Sequence, residues 1–209
     1  MKGRVKDNVL KILQKRQQYS SYATFNTEKM KRKLTDAIRR CYDEKWENHE
    51  SYIGVTVCDE WLNDEQAFFD WAKNDYYEYP EPLELDKDLL SIDGQKQYSP
   101  DTCCFLPERI NDMFREHPSE SGEKGISIGT LKNGSIRYKI GKKPRYYSPQ
   151  RSSFETLEEA KIEYKKCRIQ MLEKVITEEL EKGYLPLTII EGLQKWIYKY
   201  ENELKEEAE

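Results

Sequence analysis

Apolar residues recur at helical spacing in the first fifth of the chain, and they predict two helices. The first is short and basic and covers residues 5–19. The second runs from about Thr27, whose hydroxyl can cap it, to about Lys45. The apolar stripes are Val9, Ile12 and Leu13 in the first helix and Met30, Leu34, Ile38 and Cys41 in the second.

The middle of the chain alternates between strand-like and helical patterns. Residues 52–57 predict a strand and residues 63–74 a helix. A strand, a loop and a second short strand before Pro107 are then predicted by two runs, Leu85-Asp86-Lys87-Asp88-Leu89-Leu90 and Tyr98-Ser99-Pro100-Asp101-Thr102-Cys103-Cys104-Phe105-Leu106-Pro107. Because proline suits the first position of a helix, we expect a helix to open there.

Three short strands and two helices are predicted after a polar linker at residues 119–123. Asn133-Gly134 is a strong hairpin signal between the first two strands. A Thr-x-x-Glu capping box opens a long helix that ends near Gly183, and a last helix starts after Pro186 and gives way to an acidic tail. The strands are Ile126–Ile128, Ser135–Ile140 and Arg145–Tyr147, and the box is Thr156 with Glu159.

These elements predict an α+β fold with two domains, residues 1–118 and residues 125–209. Of 209 residues, 35% are charged and 12% are aromatic, which suits a polar protein that still builds a core. No apolar run approaches a membrane span, so we expect no membrane partner and a cytoplasmic location. Five cysteines without a Cys-x-x-Cys pair indicate reduced thiols.

Charge is distributed unevenly along the chain. Residues 1–40 carry twelve Lys or Arg against three acids, whereas residues 58–91 carry eleven acids against two lysines. Residues 125–151 contain seven basic residues and no acid. Such an acid-free basic stretch with interleaved tyrosines favours binding to DNA or RNA. The candidate nucleic-acid-binding residues are Lys132, Arg137, Lys139, Lys142, Lys143, Arg145, Arg151 and Tyr146.

Alternation along a strand puts Arg137 and Lys139 on the same sheet face, and Arg145 on the next strand can join them. We expect the long helix to cover the opposite face. The tyrosines can stack on bases or pack the sheet. The next candidates for binding are the cations of the N-terminal helices, Lys31, Arg32, Lys33, Arg39 and Arg40.

The strand, loop, strand and helix around Asp86 resemble the ββα-metal hairpin of phage-encoded HNH homing-type endonucleases. The resemblance begins at Arg39-Arg40-Cys41-Tyr42, continues through Tyr52-Ile53-Gly54-Val55-Thr56-Val57-Cys58-Asp59-Glu60-Trp61, and reaches Asn111. It implies a module that holds Mg²⁺ beside the scissile phosphate of a nucleic acid.

The resemblance also implies roles for individual residues. Asp86 and Asn111 would be the metal ligands, while Lys87 stands where the family has the general-base histidine and Thr102 where it has the asparagine that orients this histidine. A lysine, with an ordinary pKa of about 10.4, does not accept a proton at neutral pH unless burial lowers that value. Lys87 can instead pair with a neighbouring aspartate or bind phosphate. The two histidines, His49 and His117, lie outside the hairpin.

The segment Ser153-Phe154-Glu155-Thr156-Leu157-Glu158-Glu159-Ala160-Lys161-Ile162-Glu163-Tyr164, with the basic strands before it, resembles the ethylene-response-factor and integrase type of DNA-binding domain. That resemblance covers residues 125–168. It implies a three-stranded antiparallel sheet that reads the major groove and is supported by the long helix.

Together the two resemblances indicate a phage-type protein that binds nucleic acid and whose cleavage chemistry is impaired. One interpretation is an anti-defence inhibitor of the anti-CRISPR type, which acts on a nucleic-acid-guided host complex or on its RNA. The alternatives are an active metal-dependent nicking endonuclease and a transcriptional regulator.

Overall fold

The computed structural model describes residues 25–46, 49–91, 94–114, 119–141, 149 and 151–207. The fold holds 51% helix and 15% strand, which confirms the α+β class. The predicted helix over residues 5–19 lies outside the described residues. Within the described ranges, no helix is both long enough and apolar enough to cross a membrane.

The chain divides into two compact units: Met1–Phe114 with Lys182–Ile189, and Arg115–Glu181 with Ile190–Glu209. The second unit therefore begins at Arg115, and a short later segment returns to the first unit. The domain boundaries at residues 118 and 125 stay a prediction. Residues 119–126 form a turn in which the Ser121 hydroxyl donates a hydrogen bond of 2.6 Å to the Ile126 carbonyl.

Between residues 25 and 114, the described chain forms four helices and four short strands. The strands form two pairs, β1 with β3 in parallel and β2 with β4 antiparallel. The helices are α1 (Thr27–Tyr42), α2 (Asp59–Asn63), α3 (Glu65–Asp75) and α4 (Glu108–Asn111), and a 3₁₀ turn spans His49–Tyr52. The strands are β1 (Thr56–Val57), β2 (Leu83–Asp86), β3 (Gln97–Tyr98) and β4 (Cys104–Pro107).

Helix α1 is capped by Asn26, the residue before its first turn. The Asn26 side chain accepts a hydrogen bond of 2.9 Å from the Lys29 N–H, and asparagine is a better helix cap than threonine. The prediction that Thr27 caps the helix was therefore wrong. The helix ends at Tyr42 instead of Lys45, and its buried stripe is Met30, Leu34, Ala37 and Cys41.

The helix predicted over residues 63–74 is present as α3, and the short helix α2 precedes it, because Asp64 adopts an extended conformation between the two. The Asp64 carboxylate accepts a hydrogen bond of 2.9 Å from the Gln66 N–H and so caps α3. Trp61 on α2 packs edge-on against Phe68 on α3, with ring centroids 5.0 Å apart. Both rings are fully buried, and they form the centre of the first unit's core.

The strands of the first unit are shorter than the apolar runs that predict them. Gly54 has a φ of +79°, so the segment before β1 turns and only Thr56–Val57 is extended. Strand β2 stops at Asp86, which faces Cys104 at the end of the β4 ladder.

The described part of the remaining chain holds a three-stranded antiparallel sheet and two long helices, as predicted. The sheet order is β5-β6-β7, and the turn between β5 and β6 contains Gly134 at a φ of +85°. The third strand is Ser153–Phe154, whereas the predicted strand over residues 145–147 lies outside the described residues. The elements are β5 (Ile126–Thr130), β6 (Ile136–Ile140), β7 (Ser153–Phe154), α5 (Leu157–Lys182) and α6 (Leu187–Glu206).

Helix α5 has 26 residues and is capped as the sequence predicts. The Thr156 hydroxyl accepts a hydrogen bond of 3.2 Å from the Glu159 N–H. The Glu159 carboxylate, in turn, accepts one of 3.2 Å from the Glu155 N–H. Gly183 follows with a φ of +72°, the left-handed conformation that ends many helices.

The acidic segment near the C-terminus is helical, contrary to the expected tail. Helix α6 extends to Glu206, and Lys165 of α5 holds its end through two glutamates. The Lys165 ammonium lies 3.1 Å from the Glu203 carboxylate and 2.7 Å from that of Glu207.

All five cysteines are free thiols. Cys41, Cys103, Cys104 and Cys167 are buried, and Cys58 is half-buried at the start of α2.

Candidate metal hairpin and nucleic-acid interface

Asp86 ends strand β2 and is buried, with 3% of its surface exposed. Its Oδ1 accepts hydrogen bonds from the N–H groups of Leu89, at 2.8 Å, and Asp88, at 3.1 Å. This local turn takes the chain out of the extended conformation and explains why the strand ends here. Burial, together with the nearby Asp88 carboxylate, raises the pKa of Asp86 to about 7.

Lys87 points into a partly closed environment of one carboxylate and two aromatic rings. Its Nζ donates a hydrogen bond of 2.6 Å to Asp88 Oδ1, and the side chain is 11% exposed. The same Nζ lies 5.8 Å from the ring centroid of Tyr98 and 5.9 Å from that of Tyr52. A carboxylate and two ring faces stabilise an ammonium ion, so the arrangement favours the predicted pairing with a neighbouring aspartate.

Thr102 holds a tight turn before strand β4. Its hydroxyl donates a hydrogen bond of 2.6 Å to the Gln97 carbonyl and accepts one of 3.1 Å from the Ser99 N–H. The Ser99 hydroxyl is 2.9 Å away. The Thr102 hydroxyl therefore fixes the loop between β3 and β4.

Asn111 is the last residue of α4, the single helical turn after Pro107, and it is 4% exposed. Helix α4 contacts both strands of the β2–β4 hairpin. The order strand, loop, strand and helix is therefore present, with Asp86 at the end of the first strand and Asn111 at the end of the helix. The His117 position and the His49 side chain lie outside the described residues.

The arrangement of the hairpin does not fit Mg²⁺ well. Mg²⁺ binds oxygen ligands in near-ideal octahedral geometry, but Asp86 Oδ1 already accepts two backbone N–H groups and the Lys87 ammonium follows it in the chain. Within the part of the chain that the structure describes, no three His, Cys, Asp or Glu residues form a group that could hold a metal ion. The expectation of Mg²⁺ at Asp86 and Asn111 stays a prediction.

The sheet of the second unit has one face of cations and small residues. The β5–β6 register pairs Gly129 with Arg137 and Ser127 with Lys139, and Ser153 of β7 pairs with Lys139. Because side chains alternate along a strand, these residues share a face. The opposite face carries the buried side chains of Ile126, Ile140 and Phe154.

Lys139 lies across the cationic face, directly above Gly129. A Cβ atom at Gly129 would be 2.7 Å from both Cε and Nζ of Lys139. The absence of a side chain at Gly129 therefore gives Lys139, an exposed residue, room to lie along the sheet.

Arg137 is partly neutralised on the same face. Its Nη1 lies 2.7 Å from Glu155 Oε1, and the guanidinium hydrogen bond and charge lower the pKa of Glu155. Glu155 was missed as a site residue because the predicted site covers the acid-free stretch, residues 125–151, and Glu155 lies a few positions after its end. Knowledge of the third strand could have identified Glu155, because this strand ends at Phe154 and brings residue 155 beside β6.

The other predicted binding residues fall into two groups. Lys132 in the β5–β6 turn and Arg151 before β7 are exposed, and the Arg151 guanidinium lies 5.4 Å from the Phe154 ring centroid. The remaining predicted residues, Lys142, Lys143, Arg145 and Tyr146, lie outside the described residues.

Comparison of the chain with protein-family models, curated proteins and solved structures gives no match in any of the three.

Proposed function

We propose that the protein binds nucleic acid through the cationic face of its three-stranded sheet. One observation carries this proposal: Arg137 and Lys139 pair with glycine and serine positions on one sheet face, while Ile126, Ile140 and Phe154 on the opposite face are buried. A phosphate backbone can approach such a face closely, since no bulky side chain intervenes, and lysine and arginine supply the charge that phosphates require.

We further propose that the HNH-like hairpin does not cleave. Asp86 accepts hydrogen bonds from its own turn, and Lys87 is paired with Asp88. With the hydroxyl of Thr102 committed to the loop, none of the three side chains has the contacts of a general base that activates water. In this proposal, the hairpin supports the fold of the first unit and takes no part in catalysis.

The binding proposal is tested with a double variant, Arg137→Ala with Lys139→Ala, and a matched control, Lys166→Ala with Lys195→Ala. Both remove two positive charges, and the control lysines are exposed positions on helices α5 and α6 and not on the sheet. Affinity for a DNA and an RNA duplex is measured across a salt series. We expect the sheet variant to flatten the logarithmic salt slope by about two, because each of the two cations neutralises one phosphate.

Equal salt slopes for wild type and sheet variant, with both proteins folded by circular dichroism, would place the binding site elsewhere. An effect of equal size in the control would mean that nucleic-acid affinity depends only on the net charge of the protein.

The active-endonuclease alternative rests on the order of the hairpin elements, with Asp86 at the end of the first strand and Asn111 at the end of the helix. It requires plasmid nicking with Mg²⁺ or Mn²⁺ that Asp86→Ala abolishes. We expect no such nicking. Purification of the protein from host cells, followed by identification of bound nucleic acid and protein, distinguishes an inhibitor of a guided complex from a transcriptional regulator.

A further inference from the structure

The first unit has a cationic cleft between helix α1 and strand β2. It is open to solvent and has a volume of about 180 Å³. Ligand pockets for drug-sized molecules usually measure about 300–1,000 Å³, so this cleft suits a smaller group. The charged residues that line it are Lys29, Arg32, Lys33 and Arg40 from α1, with Asp36 from α1 and Glu84 from β2.

The four cations lie on one side of α1, because Arg32, Lys33 and Arg40 follow Lys29 by three, four and eleven positions. Two carboxylates oppose them, which leaves an excess of positive charge in the cleft. Glu84 pairs with Lys33, with the charged atoms 3.1 Å apart. The Lys29 ammonium donates to a neutral partner, the Tyr76 hydroxyl, at 3.5 Å. Arg32 is exposed and forms no ion pair with the described residues.

Arg40, one of the residues that line the cleft, contacts two tyrosines. The Arg40 guanidinium lies 6.0 Å from the Tyr52 ring centroid and bonds to the Tyr98 hydroxyl. The Lys87 ammonium also lies close to both rings, so the same two tyrosines contact a second cation. A guanidinium held by aromatic neighbours loses little conformational freedom when an anion binds to it.

The cations of the cleft also destabilise one another. Burial lowers the pKa of Lys33, and the charges of Lys29 and Arg40 lower it further, against the opposing effect of Glu84. A bound anion would reduce this repulsion. Phosphate matches the arrangement, because arginine binds its oxygens through two parallel hydrogen bonds and lysine through a point charge.

We propose that the cleft between α1 and β2 binds a phosphate group, either of a nucleic-acid backbone or of a free phosphate compound. The site lies in the first unit and uses none of the residues of the cationic sheet face. A result that disproves binding at the sheet therefore leaves this proposal open, and the reverse also holds.

The test compares Arg32→Ala with Arg39→Ala in the full-length chain. Both arginines are exposed on α1, but Arg39 does not line the cleft, so the two variants lose the same charge from the same helix. Two probes are titrated separately by calorimetry: inorganic pyrophosphate and a short single-stranded oligonucleotide. A methylphosphonate oligonucleotide of the same sequence, which lacks the backbone charge, is the ligand control.

We expect Arg32→Ala to weaken binding of at least one charged probe about tenfold, the loss of one charge-assisted hydrogen bond. The affinity of Arg39→Ala should stay close to that of wild type. An effect on the oligonucleotide alone identifies a nucleic-acid backbone as the source of the phosphate. An effect on pyrophosphate alone identifies a free phosphate compound.

Three outcomes would overturn the proposal: equal losses in the two variants, no binding of either probe by wild type, or equal affinity for the uncharged oligonucleotide. Thermal unfolding of each variant shows whether helix α1 is retained. If Arg32→Ala unfolds, Arg32→Lys replaces it, because lysine keeps the charge but removes the paired hydrogen bonds.

Discussion

The Arg137–Glu155 ion pair controls how much positive charge the sheet presents. The Glu155 carboxylate is well exposed, so it competes with a phosphate for the Arg137 guanidinium at little cost to the fold. A nucleic acid must displace this carboxylate before one of its phosphates can accept two parallel hydrogen bonds from the Arg137 guanidinium.

Replacing Glu155 by glutamine should therefore strengthen nucleic-acid binding. We expect an affinity gain of about two- to tenfold at low salt, because a phosphate no longer has to displace a carboxylate, and a salt slope close to that of wild type, since the number of cations that contact phosphate is unchanged. Glu158→Gln, an exposed change in the first turn of α5, removes the same charge without touching Arg137. A gain of equal size in this control would indicate a general charge effect.

Asp86 makes the stability of the hairpin depend on pH. Its pKa in the folded protein, about 7, lies above the ordinary value of 3.8. The folded state therefore binds the proton more tightly than the unfolded state does, and this contribution to stability is lost as pH rises from about 4 towards 7.

Asp86→Asn should remove this dependence. Asparagine keeps an oxygen that can accept the Leu89 and Asp88 N–H groups but does not ionise. Relative to wild type, the free energy of unfolding of the variant should increase between pH 4 and pH 7, by about 1.4 kcal/mol for each unit by which the two pKa values differ. Urea unfolding with a metal chelator present measures it. A constant difference across this range would mean that Asp86 titrates normally in the fold.

At the scale of elements, capping decides where the longest helix begins. The Thr156 hydroxyl binds one of the four N–H groups that the first turn of α5 leaves without a helical partner. Thr177, in the same helix, instead bonds to the Glu173 carbonyl, which already accepts within the helix.

The two threonines should respond oppositely to alanine. Thr156→Ala should cost about 1 kcal/mol of unfolding free energy, the usual loss for a helix cap. Thr177→Ala should be neutral or stabilising, because alanine has the higher helix propensity. Denaturant midpoints at equal m-values measure both. A loss at Thr177 as large as at Thr156 would show that the cap adds nothing specific.

The same elements show what sequence alone predicts here. The Asn133-Gly134 hairpin and the Thr156 cap were predicted correctly, because turn and capping chemistry is local. Strand β2 was placed too late, since a side chain of the strand itself, Asp86, ends it. The third strand at Ser153–Phe154 was missed because strand pairing joins residues that are distant in sequence.

The candidate sites follow the same division. Strand alternation was enough to place Arg137 and Lys139 on one face. The Glu155 pairing and the α1 cleft depend on how separate elements pack, and residue spacing does not encode that packing.

At the scale of the whole molecule, the first unit is built from two separate segments of the chain. The segment Lys182–Ile189 belongs to that unit, and Leu185 and Ile189 within it are almost fully buried. The first unit thus depends on residues that lie beyond most of the second in the sequence.

Leu185→Ala should therefore loosen the first unit. We expect a loss of about 2–5 kcal/mol, typical of a buried leucine replaced by alanine. Hydrogen exchange should rise in peptides from α3 and β2. The control is Thr188→Ala, an exposed position in the same segment. Faster exchange confined to residues 126–140 would assign this segment to the other unit.

The state of the five free thiols has a practical consequence for spectroscopy. Only the thiolate reacts with maleimides, and burial raises the pKa of all five thiols, to about 11 at Cys41 and Cys167 and further at Cys103 and Cys104. Access to the reagent therefore decides which thiol is labelled. Cys58, at the start of α2, is the one thiol that is not buried. Brief labelling of the native protein should therefore attach a dye at this position alone, so that the proposed phosphate binding in the first unit can be tested by fluorescence without engineering the chain.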